Sequence, residues 1–261
     1  MLVDAHAHLD IDAFEADRAE TIARAQAAGV ERIINVGINS VYWQNSLDLV
    51  RKYPGYMYLS LGLHPNDIAY ESDPDAALLK LEELCQTNRE VIVAVGETGL
   101  DYYHKDVAPD VQKDFFGRQI KLAQKLKLPL VIHCRDAMPD LLDILEREAR
   151  KMPIMMHCFS GTVAEAERSM ALGPEVFISI AGPVTFTKAL DRHEVVRHVP
   201  LERLLTETDC PFLTPHPYRG KRNEPAYVKL VAQKIAELKN ISYDEVAEQT
   251  GENVKRLFGI P

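Results

Sequence analysis

The chain of 261 residues carries 30 Lys and Arg against 39 Asp and Glu, a net charge of −9, with 46% hydrophobic and 26% charged residues. These proportions exclude a disordered, collagen-like or membrane-spanning chain, and the acidic balance argues against a sequence-blind clamp on a long stretch of nucleic acid, leaving only a small basic cleft open. A single (β/α)8 barrel of about 250 residues fits the length, so one domain over 1–261 is expected.

No stretch approaches the roughly 20 apolar residues of a membrane span. The first residues lack the basic and apolar regions of a secretory signal. Cys85, Cys134, Cys158 and Cys210 are scattered without metal-knuckle or disulfide spacing, which points to reduced thiols in a cytoplasmic protein.

Apolar, β-rich runs at 2–6, 32–36, 57–61, 91–95, 130–133, 154–157, 176–180 and 204–207 alternate with stretches of helical period. Helix starts are signalled by Asp12 with Glu15, by Asp73 before Pro74, and by Ser242 with Glu245. Strand followed by helix, eight times, predicts a parallel sheet with right-handed crossovers. Roughly 29 residues separate successive strand ends, the size of a βα unit, and no GxGxxG or Walker-type loop follows the first strand. The fold class is therefore α/β, a TIM-type barrel with its site at the C-terminal strand ends. The longest irregular stretches are 98–109 and 211–224.

Metal-capable residues fall at those strand ends: His6, His8, Glu97, His133, His157 and Asp209. His6 and His8 are two apart, so both face one side of an extended strand. Asp4 is expected one layer deeper on the same face, orienting or polarising His6. If His133 and His157 point inward, Cys134 and Cys158 point outward into the helix layer. In Glu207-Thr208-Asp209 the two acids share the inward face, with Asp209 at the mouth and Glu207 below it, able to hold a ligand histidine in one tautomer. Burying so many ionisable groups without a metal is costly. Six such donors with a carboxylate to bridge suit two divalent ions, Mg, Mn or Zn, and the lack of thiolates disfavours a structural zinc. Such a mouth is cationic and suits an anionic substrate.

Asp4-Ala5-His6-Ala7-His8-Leu9-Asp10, Gly62-Leu63-His64-Pro65, Gly96-Glu97-Thr98-Gly99-Leu100-Asp101, Ile132-His133-Cys134-Arg135, His157-Cys158-Phe159-Ser160-Gly161 and Glu207-Thr208-Asp209-Cys210-Pro211 occur in this order. The set resembles the motifs of the TatD-related deoxyribonucleases, metal-dependent hydrolases with an amidohydrolase-like barrel. The resemblance implies hydrolysis of phosphodiester bonds in DNA. It further implies that His6, His8, Glu97 and Asp209 hold one metal, that Glu97, His133 and His157 hold the other, and that His64 faces the substrate phosphate.

Asp209 is the expected base for the attacking water, and Glu97 and His64 complete the catalytic set. Arg135 is expected to contact a phosphate or to form a surface salt bridge. Among rim residues, Tyr218, Arg219, Lys221 and Arg222 suit a single-stranded end or a solvated loop. Phe159 stacks on a base or packs, Tyr102, Tyr103 and His104 have weaker support as rim residues, and Trp43 reads as packing. The expected partner is DNA, single-stranded or frayed at its ends, with no membrane and no obligate protein partner. The competing function is hydrolysis of amides, lactones or aminoacyl esters at the same centre. Glu97, where many such enzymes use a carboxylated lysine, and the absence of a flanking β-domain before the first strand argue against it.

Overall fold

Near-continuous apolar runs, buried on both faces, build eight strands: β1 (Leu2–Ala7), β2 (Val30–Gly37), β3 (Met57–Leu61), β4 (Ile92–Asp101), β5 (Leu130–Arg135), β6 (Ile154–Met156), β7 (Val176–Ile180) and β8 (Leu204–Thr206). The computed structural model describes residues 1–261. Each strand pairs in parallel with the next in sequence order. The segment after β8 returns to β1 through an Ala7–Cys210 bridge, with Asp209 N donating to His6 O and His8 N to Cys210 O, each at 2.9 Å. The sheet is thus a TIM-type barrel, as the alternating pattern predicts.

Helices follow the strands: α1 (Arg18–Ala27), α2 (Trp43–Arg51), α3 (Pro74–Thr87), α4 (Pro109–Leu126), α5 (Met138–Glu148), α6 (Val163–Met170), α7 (Leu190–His198), α8 (Val228–Lys239) and α9 (Tyr243–Phe258). Asp73 caps α3 by accepting from Ala76 N, with Pro74 in the first turn. Ser242 caps α9 by accepting from Glu245 N. A full capping box, unremarked in the sequence, opens α6 between Thr162 and Glu165. The expected box at Asp12 is absent. Residues Asp12–Phe14 form a 3-10 turn, and α1 begins later, at Arg18. The Arg18 guanidinium takes the carbonyls of Leu9, Asp10 and Ile11, which ties this crossing down before the helix starts.

The core has two layers. Inside the barrel, Val3, Ala5, Ile34, Tyr58, Val131, Met155, Phe177 and Leu205 meet Val254, Leu257 and Phe258 of α9. Gly251 of α9 lies against the Met1 carbonyl, where a Cβ would approach to 2.5 Å, so α9 stoppers the N-terminal end. Between sheet and helices, Ile33, Leu59, Ile132, Met156, Ile178 and Leu204 join the larger cluster. Trp43 belongs to that layer, fully buried with Nε1 donating to Gly62 O at 3.1 Å, and serves packing as expected.

Two bulges break the period of two. Asp4 pairs with Ile33 but Ala7 with Asn35, so β1 carries an extra residue there. Val95 pairs with Leu130 but Thr98 with Ile132, so β4 carries another. Bulges re-aim side chains. The first puts Val3, Ala5 and then His6 inside, and the second turns Glu97 inward while Val95 and Thr98 face the helices, Thr98 meeting Gln119 of α4. Gly96 permits the second: its φ is 147°, and a Cβ would lie 2.4 Å from the Val131 carbonyl oxygen. Residues 98–101, expected to be irregular, therefore continue β4. His157 and Glu207, read as strand residues, lie just past β6 and β8.

Truncating Trp43 to Ala empties a dry site and removes a hydrogen bond, a loss of about 3–5 kcal/mol. Urea unfolding followed by circular dichroism should show the midpoint falling accordingly, since the only tryptophan is the one removed.

Candidate metal centre

The two bulges and the strand ends bring six donors to one point. His6 is fully buried, Glu97 is 3% exposed and Asp209 9%. Glu97 stands at the centre, its two oxygens facing different imidazoles. Oε2 lies 3.3 Å from His6 Nε2 and 3.7 Å from His8 Nε2. Oε1 lies 2.8 Å from His133 Nδ1, 3.5 Å from His157 Nε2 and 3.6 Å from His64 Nε2. Asp209 Oδ1 closes the first group, 3.4 Å from His8 Nε2 and 3.8 Å from His6 Nε2.

Neighbouring groups set each imidazole. His8 Nδ1 donates to Val36 O at 2.9 Å, which leaves Nε2 for the cluster. His6 and His157 stack with ring centroids 3.6 Å apart. Glu207 accepts from Cys158 N at 2.7 Å and Ser179 Oγ at 2.6 Å. Its Oε1 lies 3.0 Å from His157 Nδ1 at an oblique angle, so this is a charge contact more than a hydrogen bond. His64 Nδ1 accepts from Asn66 N at 3.2 Å, which assigns the proton to Nε2.

Asp4 departs from expectation. The β1 bulge puts it out of phase with His6, and its carboxylate accepts from Thr208 N at 2.8 Å and Thr208 Oγ1 at 2.6 Å. It reaches His6 only at the backbone N, 3.4 Å away, and the His6 Nδ1 is buried without a partner. Burial pushes the Asp4 carboxyl up to about 8.

Asp101 went without a role in the sequence because it fell in the supposed loop. At the end of β4 it is buried and accepts from His133 Nε2 at 3.1 Å, His104 Nδ1 at 3.0 Å and Asn66 Nδ2 at 3.0 Å. Both His133 nitrogens thus meet carboxylates.

Cys134 packs against the helix-layer core as expected. Cys158 lies beyond the strand in a left-handed turn, φ 43°, so strand alternation does not govern it. Arg135 forms no salt bridge; its guanidinium stacks 3.7 Å over Tyr103 on the exposed rim. Tyr102 donates to Asp140 at 2.8 Å. In the 215–222 loop Arg222 is paired with Asp17 at 2.7 Å, Arg219 lies over Phe186 and Lys221 over Tyr218. Phe159 is buried and packs.

The donor set fits divalent cations. Every salt-bridge partner of Glu97 and Asp209 is a histidine nitrogen. His6 Nε2 and His8 Nε2 face each other at 3.1 Å, an approach that needs a proton or a cation between them. His6, His8 and Glu97 form one group with metal-holding spacing, and His64, Glu97 and His133 another. Without a cation the cluster answers its carboxylates with protons. Burial lowers the His157 imidazole, but Glu207, Glu97 and Asp209 outweigh it and push it up to about 10. Burial opposes charge on His8 too, and Asp209 and Glu97 raise it to about 9. Glu97 is drawn well below the usual carboxylate range by His157 and His133 despite its burial. His64, lowered to about 3 by burial and by His133, stays neutral.

A family model described as TatD related DNase matches residues 3–259. The chain is 45% identical over 261 residues to the uncharacterized metal-dependent hydrolase YabD of Bacillus subtilis (strain 168), covering 100% of each. It is 33% identical over 264 residues to the 3'-5' ssDNA/RNA exonuclease TatD of Pectobacterium atrosepticum, covering 98% of this chain and 99% of that one. The crystal structure of YJJV, a TatD homolog from Escherichia coli K12, superposes with a TM-score of 0.93 at 32% identity, covering 100% of this chain and 98% of that one.

Metal binding must expel the protons on His8 and His157, so affinity falls as pH falls below about 9. Release of one to two protons corresponds to about 10- to 100-fold in apparent affinity per pH unit. Calorimetric titration of the metal-free protein with Mn or Zn, repeated in buffers of different ionisation enthalpy between pH 6 and 8, measures both quantities.

Proposed function

The chain belongs to the TatD-related DNase family of metal-dependent hydrolases acting on ester bonds, and from that premise we propose that it cleaves phosphodiester bonds in DNA at free or frayed strand ends. The observation that carries this reading is the division of the Glu97 oxygens between His6 and His8 on one side and His133 and His157 on the other. The relative named as an exonuclease on single-stranded DNA and RNA supports the substrate class.

In this reading His6, His8, Glu97 and Asp209 hold one divalent ion, and Glu97, His133 and His157 the other. Bound ions would supply Lewis-acid polarisation of the phosphoryl group and activation of water. Asp209, held ionised by the imidazoles around it and the most open of the buried donors, accepts the water's proton. His64 donates from Nε2 to a phosphate oxygen; being neutral, it adds no repulsion toward the cations. Ser179 donates to Glu207 and holds its carboxylate against His157. Arg135, flat on Tyr103 and free of carboxylates, meets the next phosphate along the strand.

The deciding experiment is hydrolysis of labelled single-stranded DNA after chelation and separate re-addition of Mg, Mn and Zn. Metal-restored cleavage is expected. Turnover of an ester or lactone panel with none of DNA would replace this reading with carbonyl hydrolysis. Asp209→Asn should lower kcat by about 10²- to 10⁴-fold, with metal content checked by elemental analysis. Turnover within a few-fold of wild type, metal retained, would remove the base role.

Salt dependence offers a further check. With Arg222 neutralised by Asp17, the cations proposed to meet the strand reduce to Arg135, Arg219 and Lys221. At about −0.7 per neutralised phosphate on a single strand, log K against log salt should slope at about −1.5 to −2, measured on metal-loaded Asp209→Asn protein. A slope beyond about −5 would mean an extended binding track.

A further inference from the structure

Phe212 is 55% exposed, three residues past Asp209, and its ring centroid lies 6.2 Å from that of His8 at an interplanar angle of 68°. It belongs to neither hydrophobic cluster, so core packing does not account for it. Its backbone is nonetheless held firmly. Phe212 N donates to Asp209 O at 2.9 Å, and the fully buried Asn223 donates to Phe212 O at 2.6 Å and Thr208 O at 2.9 Å. The next carbonyl, of Leu213, crosses so close to Gly182 that a Cβ there would lie 1.9 Å from it. A rigid segment thus presents an apolar ring to solvent beside the metal-binding cluster.

Tyr103, Tyr218 and Phe186 each have a partner over the ring, and Tyr70, 74% exposed on the Asp67–Tyr70 turn, meets no imidazole of the cluster. Arg135 covers Tyr103, Tyr227 stacks on Tyr218 at 4.6 Å, and Arg219 lies over Phe186. Phe212 meets His8 in a T-shaped contact and has no stacked ring or cation over it. We propose that Phe212 is the stacking platform for the unpaired nucleobase of a nucleotide joined by the scissile bond, an inference that rests on the DNA-end reading above. Stacking suits such a substrate because every base offers a π-face, whereas a base still paired in a duplex has its faces occupied. The platform would favour single-stranded or frayed ends and tolerate any sequence.

The test measures kcat and KM of metal-loaded wild type, Phe212→Ala, Phe212→Leu and Phe212→Trp on labelled single strands. These carry either a normal base or an abasic residue at each of the two nucleotides joined by the cleaved bond. Phe212→Ala and Phe212→Leu should raise KM about 5- to 100-fold, the effect of one lost base stack, with little change in kcat, and Phe212→Trp should restore it. An abasic residue should cost the wild type a similar factor and cost Phe212→Ala little more. Metal content and circular dichroism should match throughout, because the ring is exposed. Equal KM for Phe212→Ala and wild type, or equal losses on base-bearing and abasic strands, would overturn the platform while leaving phosphodiester cleavage intact. No cleavage of any strand by the wild type would overturn both.

Discussion

One buried carboxylate governs the architecture of the mouth. Glu97 is nearly sealed from water and has no lysine or arginine beside it, a placement that costs several kcal/mol unless opposite charge answers it. The answer comes from imidazoles on β1 and β5 and on the segments after β3 and β6, which explains why four separate strand ends must converge. The outer partners then become necessary as well. Val36 O and Asp101 hydrogen-bond the other nitrogen of His8 and His133, Glu207 lies against that of His157 as a charge contact, and only His6 leaves its Nδ1 unanswered.

Regular β geometry alone could not assemble this centre. On an unbroken β4 Glu97 would share the phase of Val95 and face the helices, and the extra residue at Gly96 reverses that. In β1 the same device lets small apolar side chains line the interior below while His6 still turns inward. Each bulge locally disrupts the ladder to aim a side chain into the cluster, and the surrounding layers hold it: α9 from below, and the Gln119 contacts to Leu63 and Thr98 from the side.

This explains which parts of the molecule were legible in the amino-acid sequence. Periodicity and spacing expose the eight strands, because burial on a barrel imposes them over long runs. Residue type at strand ends exposes the six donors, because few side chains can bind a cation. Asp4, Asp101 and the true start of α1 were not legible. The facing of Asp4 and Asp101 depends on an insertion of one residue whose only local trace is a glycine in β4 and nothing evident in β1. The start of α1 depends on where the Arg18 guanidinium goes. The pairing of Arg222 was hidden for a related reason: the acid that neutralises it, Asp17, lies 205 positions away.

The closing seam carries a consequence for how the protein comes into being. His6 and His8 emerge from the ribosome with the first strand, whereas Asp209 follows the last, and the two meet only where Asp209 N and His8 N bond across from β8 to β1. A nascent chain therefore carries this pair of histidines for most of its synthesis without Asp209, the last carboxylate of their group. The group is completed late, at closure, and a cation held between the two ends would act as a clasp on the finished ring.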